Sequence, residues 1–182
     1  MMTPGRRAPV RGFTLIEVLI ALVVLAFGML ALARTLGRSA QEELEAQQRT
    51  QAMTLAADMT SRIANNPGQA ANYAGEYLAA GQLEDCAVLD PAVPLPRDQC
   101  EWRNRLRGAD TFDGERGIGS PIAARGCVIV MAPNVYVIAV AWQGVLPTAP
   151  ADSPCGENGF GADNEKTRRV YSTTLQIATL GA

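Results

Sequence analysis

The sequence predicts an α+β fold in which one long N-terminal helix, transmembrane and then amphipathic, packs on a small antiparallel β-sheet. Two observations predict it. Residues 13–33 form an apolar run that passes without a helix breaker into a polar, helically patterned stretch ending at Asn65-Asn66-Pro67-Gly68. Beyond it, β-rich runs occur at 127–131, 136–142 and 168–180. A chain of 182 residues has room for one domain and an extension, not for two full domains.

Residues 1–12 are a short polar leader carrying Arg6, Arg7 and Arg11. The run that follows, at 13–33, is apolar apart from Thr14 and Glu17. Its length corresponds to about 30 Å of helix, enough to cross a bilayer. Basic residues ahead of the span predict a cytoplasmic N-terminus, with the rest of the chain outside. By length alone the segment reads as a signal anchor, or as a cleaved secretory signal, since Ala31-Leu32-Ala33 resembles a small-residue cleavage site. Glu17 changes that reading. A carboxylate in a spanning segment costs about 2.5–3.5 kcal/mol at mid-membrane and less near an interface, so it calls for a positive partner at similar depth. Cleavage after Gly12 would create one, the new amine of Phe13.

From Arg34 onward, apolar or small residues recur at Leu36, Ala40, Leu44, Ala52, Leu55, Ala56, Met59 and Ile63. That spacing is helical, and Glu42, Glu43, Glu45, Arg49, Asp58 and Arg62 fall on the opposite face. One helix from about residue 14 to 65 is predicted, weakened at Gly28 and Gly37 by roughly 1 kcal/mol each relative to Ala. The resulting divisions are 1–12 leader, 13–33 transmembrane, 34–66 amphipathic and 67–182 globular.

Within the globular part, residues 65–82 read as a loop with a turn of helix near Ala79. Pro91, Pro94 and Pro96 mark the stretch between Cys86 and Cys100 as irregular. Residues 101–109 suit a short helix or a strand, and 108–126 read as loop. Ala132-Pro133-Asn134 between two β-rich runs signals a hairpin. Residues 143–166 form a long connection before a final strand at 168–180. A sheet of three or four strands on the helix is the simplest solution.

The chain has no histidine, which excludes His-dependent acid–base chemistry, Ser-His-Asp and Cys-His catalysis and HExxH metal sites. No catalytic set, cofactor or metal is expected. The cluster Asp152, Glu157, Asn158, Asp163, Asn164 and Glu165 lacks EF-hand spacing and reads as a solvated loop. The net charge of −2, more acidic once the three leader arginines are removed, does not suit a nucleic-acid partner. Arg103, Arg105 and Arg107 read as solvated surface, Trp102 and Trp142 as packing. The four cysteines include no CxxC pair and all follow the apolar span, so disulfides in an oxidising compartment are expected. Of the three possible connectivities the local one is favoured, Cys86–Cys100 with Cys127–Cys155.

The run Arg11-Gly12-Phe13-Thr14-Leu15-Ile16-Glu17-Val18-Leu19 resembles the class III signal of type IV prepilins and type II secretion pseudopilins. The resemblance implies a pilin-like fold and a prepilin peptidase that cuts between Gly12 and Phe13 and N-methylates Phe13. It also implies that Glu17 pairs with the Phe13 amine of a neighbouring subunit or helps to engage the assembly machinery. The implied partners are the peptidase, other major and minor pilins, the inner-membrane assembly platform and, before assembly, membrane lipid. The implied location is a single inner-membrane pass with a periplasmic C-terminal domain, then the pilus. The stretch from Tyr136 through Trp142, the Pro-rich loop, Cys155-Gly156 and Arg168-Arg169 is similar to minor pilins of the PilV (type IV pilus modification protein) family. That family is implicated in priming or capping the pilus. A type II secretion minor pseudopilin and a membrane-anchored adhesin or DNA-uptake subunit remain open.

Overall fold

The computed structural model describes residues 12–79, 81–113 and 116–178. The chain forms two compact units that divide between Ala40 and Gln41. Helix α1 (Leu15–Asn65) runs through both. In the first unit every described side chain is exposed, from Phe13 at 81% through Leu25 at 53% to Leu36 at 62%. So continuous an apolar surface requires lipid or protein around it.

The second unit builds a core on the last turns of α1. Ala52, Leu55, Ala56, Met59 and Ile63, spaced three or four apart, are all at most 3% exposed. A short 3₁₀ helix (Pro67–Tyr73) leads into strand β1 (Gly75–Leu78). Helix α2 (Pro94–Leu106) follows, then the minimal pair β2 (Phe112–Asp113) and β3 (Arg116–Gly117). Strands β4 (Arg125–Ala132), β5 (Val135–Gln143) and β6 (Arg168–Gln176) complete the chain. The main sheet is antiparallel with order β1-β4-β5-β6. The β4–β5 reversal turns on Pro133 and Asn134, the latter at φ 62°, a region in which Asn is better tolerated than most residues.

Both faces of the sheet centre are covered. Val128, Tyr136, Ile138, Val140 and Trp142 meet the helices, while Cys127, Ala139 and Ala141 pack with Cys155 from the long connection. Trp102 of α2 is fully buried, donates its indole N–H to the Leu55 carbonyl at 2.9 Å and receives the Tyr77 ring edge-on at 4.9 Å. Its ring lies over Gly126, where a Cβ would come within 2.2 Å of it.

The disulfides are Cys86–Cys100 and Cys127–Cys155, each with Cα atoms 5.8 Å apart. The first joins the segment before α2 to the helix itself. Glu84 reinforces that join, pairing with Arg103 at 2.7 Å and Arg107 at 3.0 Å, while its backbone N–H and C=O both bond the Asn104 amide. Arg62 of α1, 12% exposed, bonds Asp58, Asp98 and Glu101 and so ties α1 to α2. The Tyr73 hydroxyl, pushed up to about 12 by burial and by donation to Asp98, caps the same cluster. Arg168, 3% exposed, donates to the carbonyls of Ala151, Ser153 and Cys155 and to Glu165, which pins the long connection against β6.

Several local expectations are corrected. β1 lies where a loop was expected, and β2–β3 fall inside the stretch 108–126 read as loop. α2 begins at Pro94 within the proline-marked stretch, because a proline at the first helical position gives up no hydrogen bond. Arg103, Arg105 and Arg107 therefore lie on a helix or at its end, facing Glu84, Asp58 and Asp110 in ion pairs.

Two predictions follow from this packing. Gly126→Ala is expected to lower unfolding stability by about 1–3 kcal/mol through overpacking against Trp102, measurable by urea denaturation. The Glu84 carboxyl is held down at about 2, chiefly by the Arg103 hydrogen bond, from an ordinary value of 4.5. Its contribution is thus full above about 4.5 and lost as pH falls through about 2. Glu84→Gln is expected to flatten the acid limb of the stability–pH curve over that interval.

Candidate assembly site at the N-terminal segment

Helical structure starts at Leu15, leaving Gly12, Phe13 and Thr14 outside the helix. The Gly12–Phe13 peptide is exposed, and a Cβ built on Gly12 meets nothing within 4 Å. Folding therefore sets no steric demand for glycine there. The leader residues Arg6, Arg7 and Arg11 lie outside the described residues, so the site is built from Gly12 onward.

Thr14 caps the helix. Its carbonyl accepts from the N–H groups of Glu17 and Val18 at 3.1 and 3.3 Å, and its hydroxyl accepts from Glu17 N–H at 3.4 Å. Thr14 and Glu17 stand in the Thr-x-x-Glu spacing of a capping box, three residues apart on the first turn. That spacing was readable in the sequence but is masked by the stronger motif it belongs to. Here only the threonine half is made: the Glu17 side chain is exposed and its carboxylate forms no hydrogen bond or ion pair among the described residues.

The energetics of Glu17 can be compared term by term. Its place in the first turn gains about 0.3–1 kcal/mol from the helix dipole. Transfer to mid-membrane costs about 2.5–3.5 kcal/mol, less toward the interface. The dipole alone does not offset a fully inserted carboxylate. A cationic group is the remaining source; among the described residues the first cation after Glu17 is Arg34, 17 positions away. An amine newly formed at Phe13 would sit against the positive end of the dipole, which gives it in turn a need for a carboxylate.

α1 contains an 18-residue window with mean hydropathy 2.8 and none of it buried, long and apolar enough to cross a membrane. Cys86, Cys100, Cys127 and Cys155 all lie in the second unit and act there as structural staples. Among the described residues no group of three His, Cys, Asp or Glu could hold a metal ion. In the loop cluster, Glu165 is bonded to Arg168 and to Asn158 N–H.

Residues 7–33 match the family model of the prokaryotic N-terminal methylation motif. No match is found for the chain among curated proteins or among solved structures. The matched segment contains Gly12, Phe13, Glu17 and the apolar start of α1, and the fold behind it is α+β and pilin-like. Together they support a prepilin of the type IV pilin or pseudopilin kind, and the motif implies processing by prepilin peptidase and assembly with other pilins.

Thr14→Ala is expected to free the first turn. A cap is worth about 1 kcal/mol, so amide exchange at Glu17 and Val18 in detergent micelles should rise roughly fivefold.

Proposed function

We propose that the chain is a minor type IV pilin of the PilV kind, stored in the inner membrane by α1, processed at Gly12–Phe13, N-methylated on Phe13 and built into the pilus to prime or cap it. The second unit then occupies the periplasm before assembly. One observation carries this reading: an exposed scissile Gly–Phe bond stands four residues before a carboxylate with no partner among the described residues, inside a matched methylation motif. Glu17 pairs with the Phe13 amine of a neighbouring subunit, so extraction from the bilayer and docking are driven by one charge pair.

The cysteine arrangement supports the minor-subunit reading. Major pilins usually close a disulfide near the C-terminus, whereas here the last bridge ties Cys155 back to β4, ahead of β6. The protein is taken to be a structural subunit and not an enzyme.

Mass spectrometry of sheared pili and membranes tests the reading, with an N-methylated Phe13 as the mature terminus and this subunit present in the filament. Gly12→Val is expected to abolish processing; because no contact opposes a side chain there, unprocessed protein would report on the peptidase and not on folding. Glu17→Ala is expected to leave processing and membrane insertion intact and to remove the subunit from pili. Full incorporation of that variant would sink the charge-pair claim. Loss of enzyme secretion with normal twitching on deletion would move the chain to a type II secretion pseudopilus.

A further inference from the structure

The second unit begins with the stretch of α1 from Gln41 to Gln51. Gln48 is the only buried side chain in that stretch, at 6% exposure, and its carbonyl Oε1 has no hydrogen-bond partner among the described residues. Trp142 of β5 is 3% exposed, and its indole N–H likewise has no acceptor among the described residues. The contrast with Trp102, whose N–H is bonded to Leu55, shows that the fold can satisfy a buried indole. Buried polar groups without partners weaken the packed state, because the open state returns them to water.

The surroundings of this segment are also loose. A cleft of about 470 Å³ is lined by Glu45, Ala46, Arg49, Trp142, Arg169 and Val170. A second, of about 210 Å³, involves Gln47, Thr50, Gln51 and Thr54 of the same helix. The hydroxyls of Thr50 and Thr54 donate back to the carbonyls of Ala46 and Thr50, contacts that slightly destabilise and bend helices. Against this stands a clasp at Glu45. Glu45 Oε1 accepts from the N–H groups of Val145 and Leu146 at 2.7 and 3.2 Å and from Arg169 at 3.4 Å. From Ala52 onward the inward face is apolar and at most 3% exposed.

We propose that residues 45–51 of α1 form a latch that lifts from β5 and β6 while the helix from Ala52 onward stays packed. Glu45 is the catch. Gln48 and Trp142 bias the latch toward opening, since both regain hydrogen bonds to water when it lifts. The use of such a latch rests on the pilin-like reading: a subunit leaving a bilayer for a packed assembly changes its neighbours along this helix.

Hydrogen exchange on the full-length protein in detergent micelles tests the proposal. Amides of 46–51 are expected to exchange about a hundredfold faster than those of 55–63, as a locally opening unit does. Gln48→Leu removes the unmet carbonyl and is expected to slow exchange at 46–51 about tenfold, with little change at 55–63. Glu45→Ala is expected to speed it about tenfold. Gly144→Ala, whose new Cβ would lie 2.8 Å from Glu45 Oε1, attacks the catch from the opposite side and should act in the same direction. Uniform protection across 46–63, or faster exchange in Gln48→Leu, would overturn the latch. The measurement uses purified protein, so that result leaves the pilus reading standing, and failure of pilus incorporation leaves the latch standing.

Discussion

Trp102 is the point on which the second unit depends. Its indole N–H closes on the Leu55 carbonyl of α1, its face covers Gly126 of β4, and the Tyr77 ring of β1 meets it at 78°. One side chain thus fixes the distance between two helices and two strands. A bond from a tryptophan to a helix carbonyl also sets the rotation of α1, which turns Ala52, Leu55, Ala56 and Met59 toward the sheet. Losing such a side chain typically costs about 3–5 kcal/mol, a large part of a domain's 5–15 kcal/mol. With aromatic residues only 5% of the chain, few other side chains could do the same.

Around that point the fold relies on polar and covalent ties more than on further apolar mass. Arg62, Arg168 and Glu84 each bind several partners on other segments, and the two disulfides close loops of 14 and 28 residues in sequence separation. These ties fall where the secondary structure is thinnest, before α2 and across the long connection. They hold irregular backbone to a small sheet, so surface loops can vary without loss of the core. Cross-links of this kind act mainly on the unfolded chain, at about 2–4 kcal/mol each.

The anchor was legible because its signal is local: one carboxylate in an apolar run is informative without knowledge of the fold. The β4–β5 hairpin was legible for the same reason, from two β-branched runs around Pro133-Asn134. β1 was not, since four residues, Gly75 to Leu78, become a strand only by pairing with β4. α2 was hidden by its prolines, although Pro94 and Pro96 occupy the first turn, where the backbone N–H groups have no intrahelical acceptor. The role of Gln48 was invisible for a different reason. A glutamine in a polar half-helix reads as solvated, and only the packed fold shows it buried. At the candidate site the motif positions Gly12, Phe13 and Glu17 were readable, whereas the capping role of Thr14 was overshadowed by them.

The two halves of α1 answer to different solvents, and their construction follows from that. The first carries exposed Phe, Leu, Ile and Val on every side, with no buried residue and, up to Ala33, a single charge at its start. Such a surface has no preferred face, so it can be covered equally by lipid or by other apolar helices. Glu17 removes that indifference. In lipid it is a cost; on the proposed function a neighbour's amine turns that cost into an attraction, and the difference between the two surroundings sets the direction of transfer. The second half has one preferred face, from Ala52 to Ile63, and a globular partner in its own chain. A helix that is indifferent at one end and committed at the other can exchange its outer surroundings while its folded domain stays unchanged.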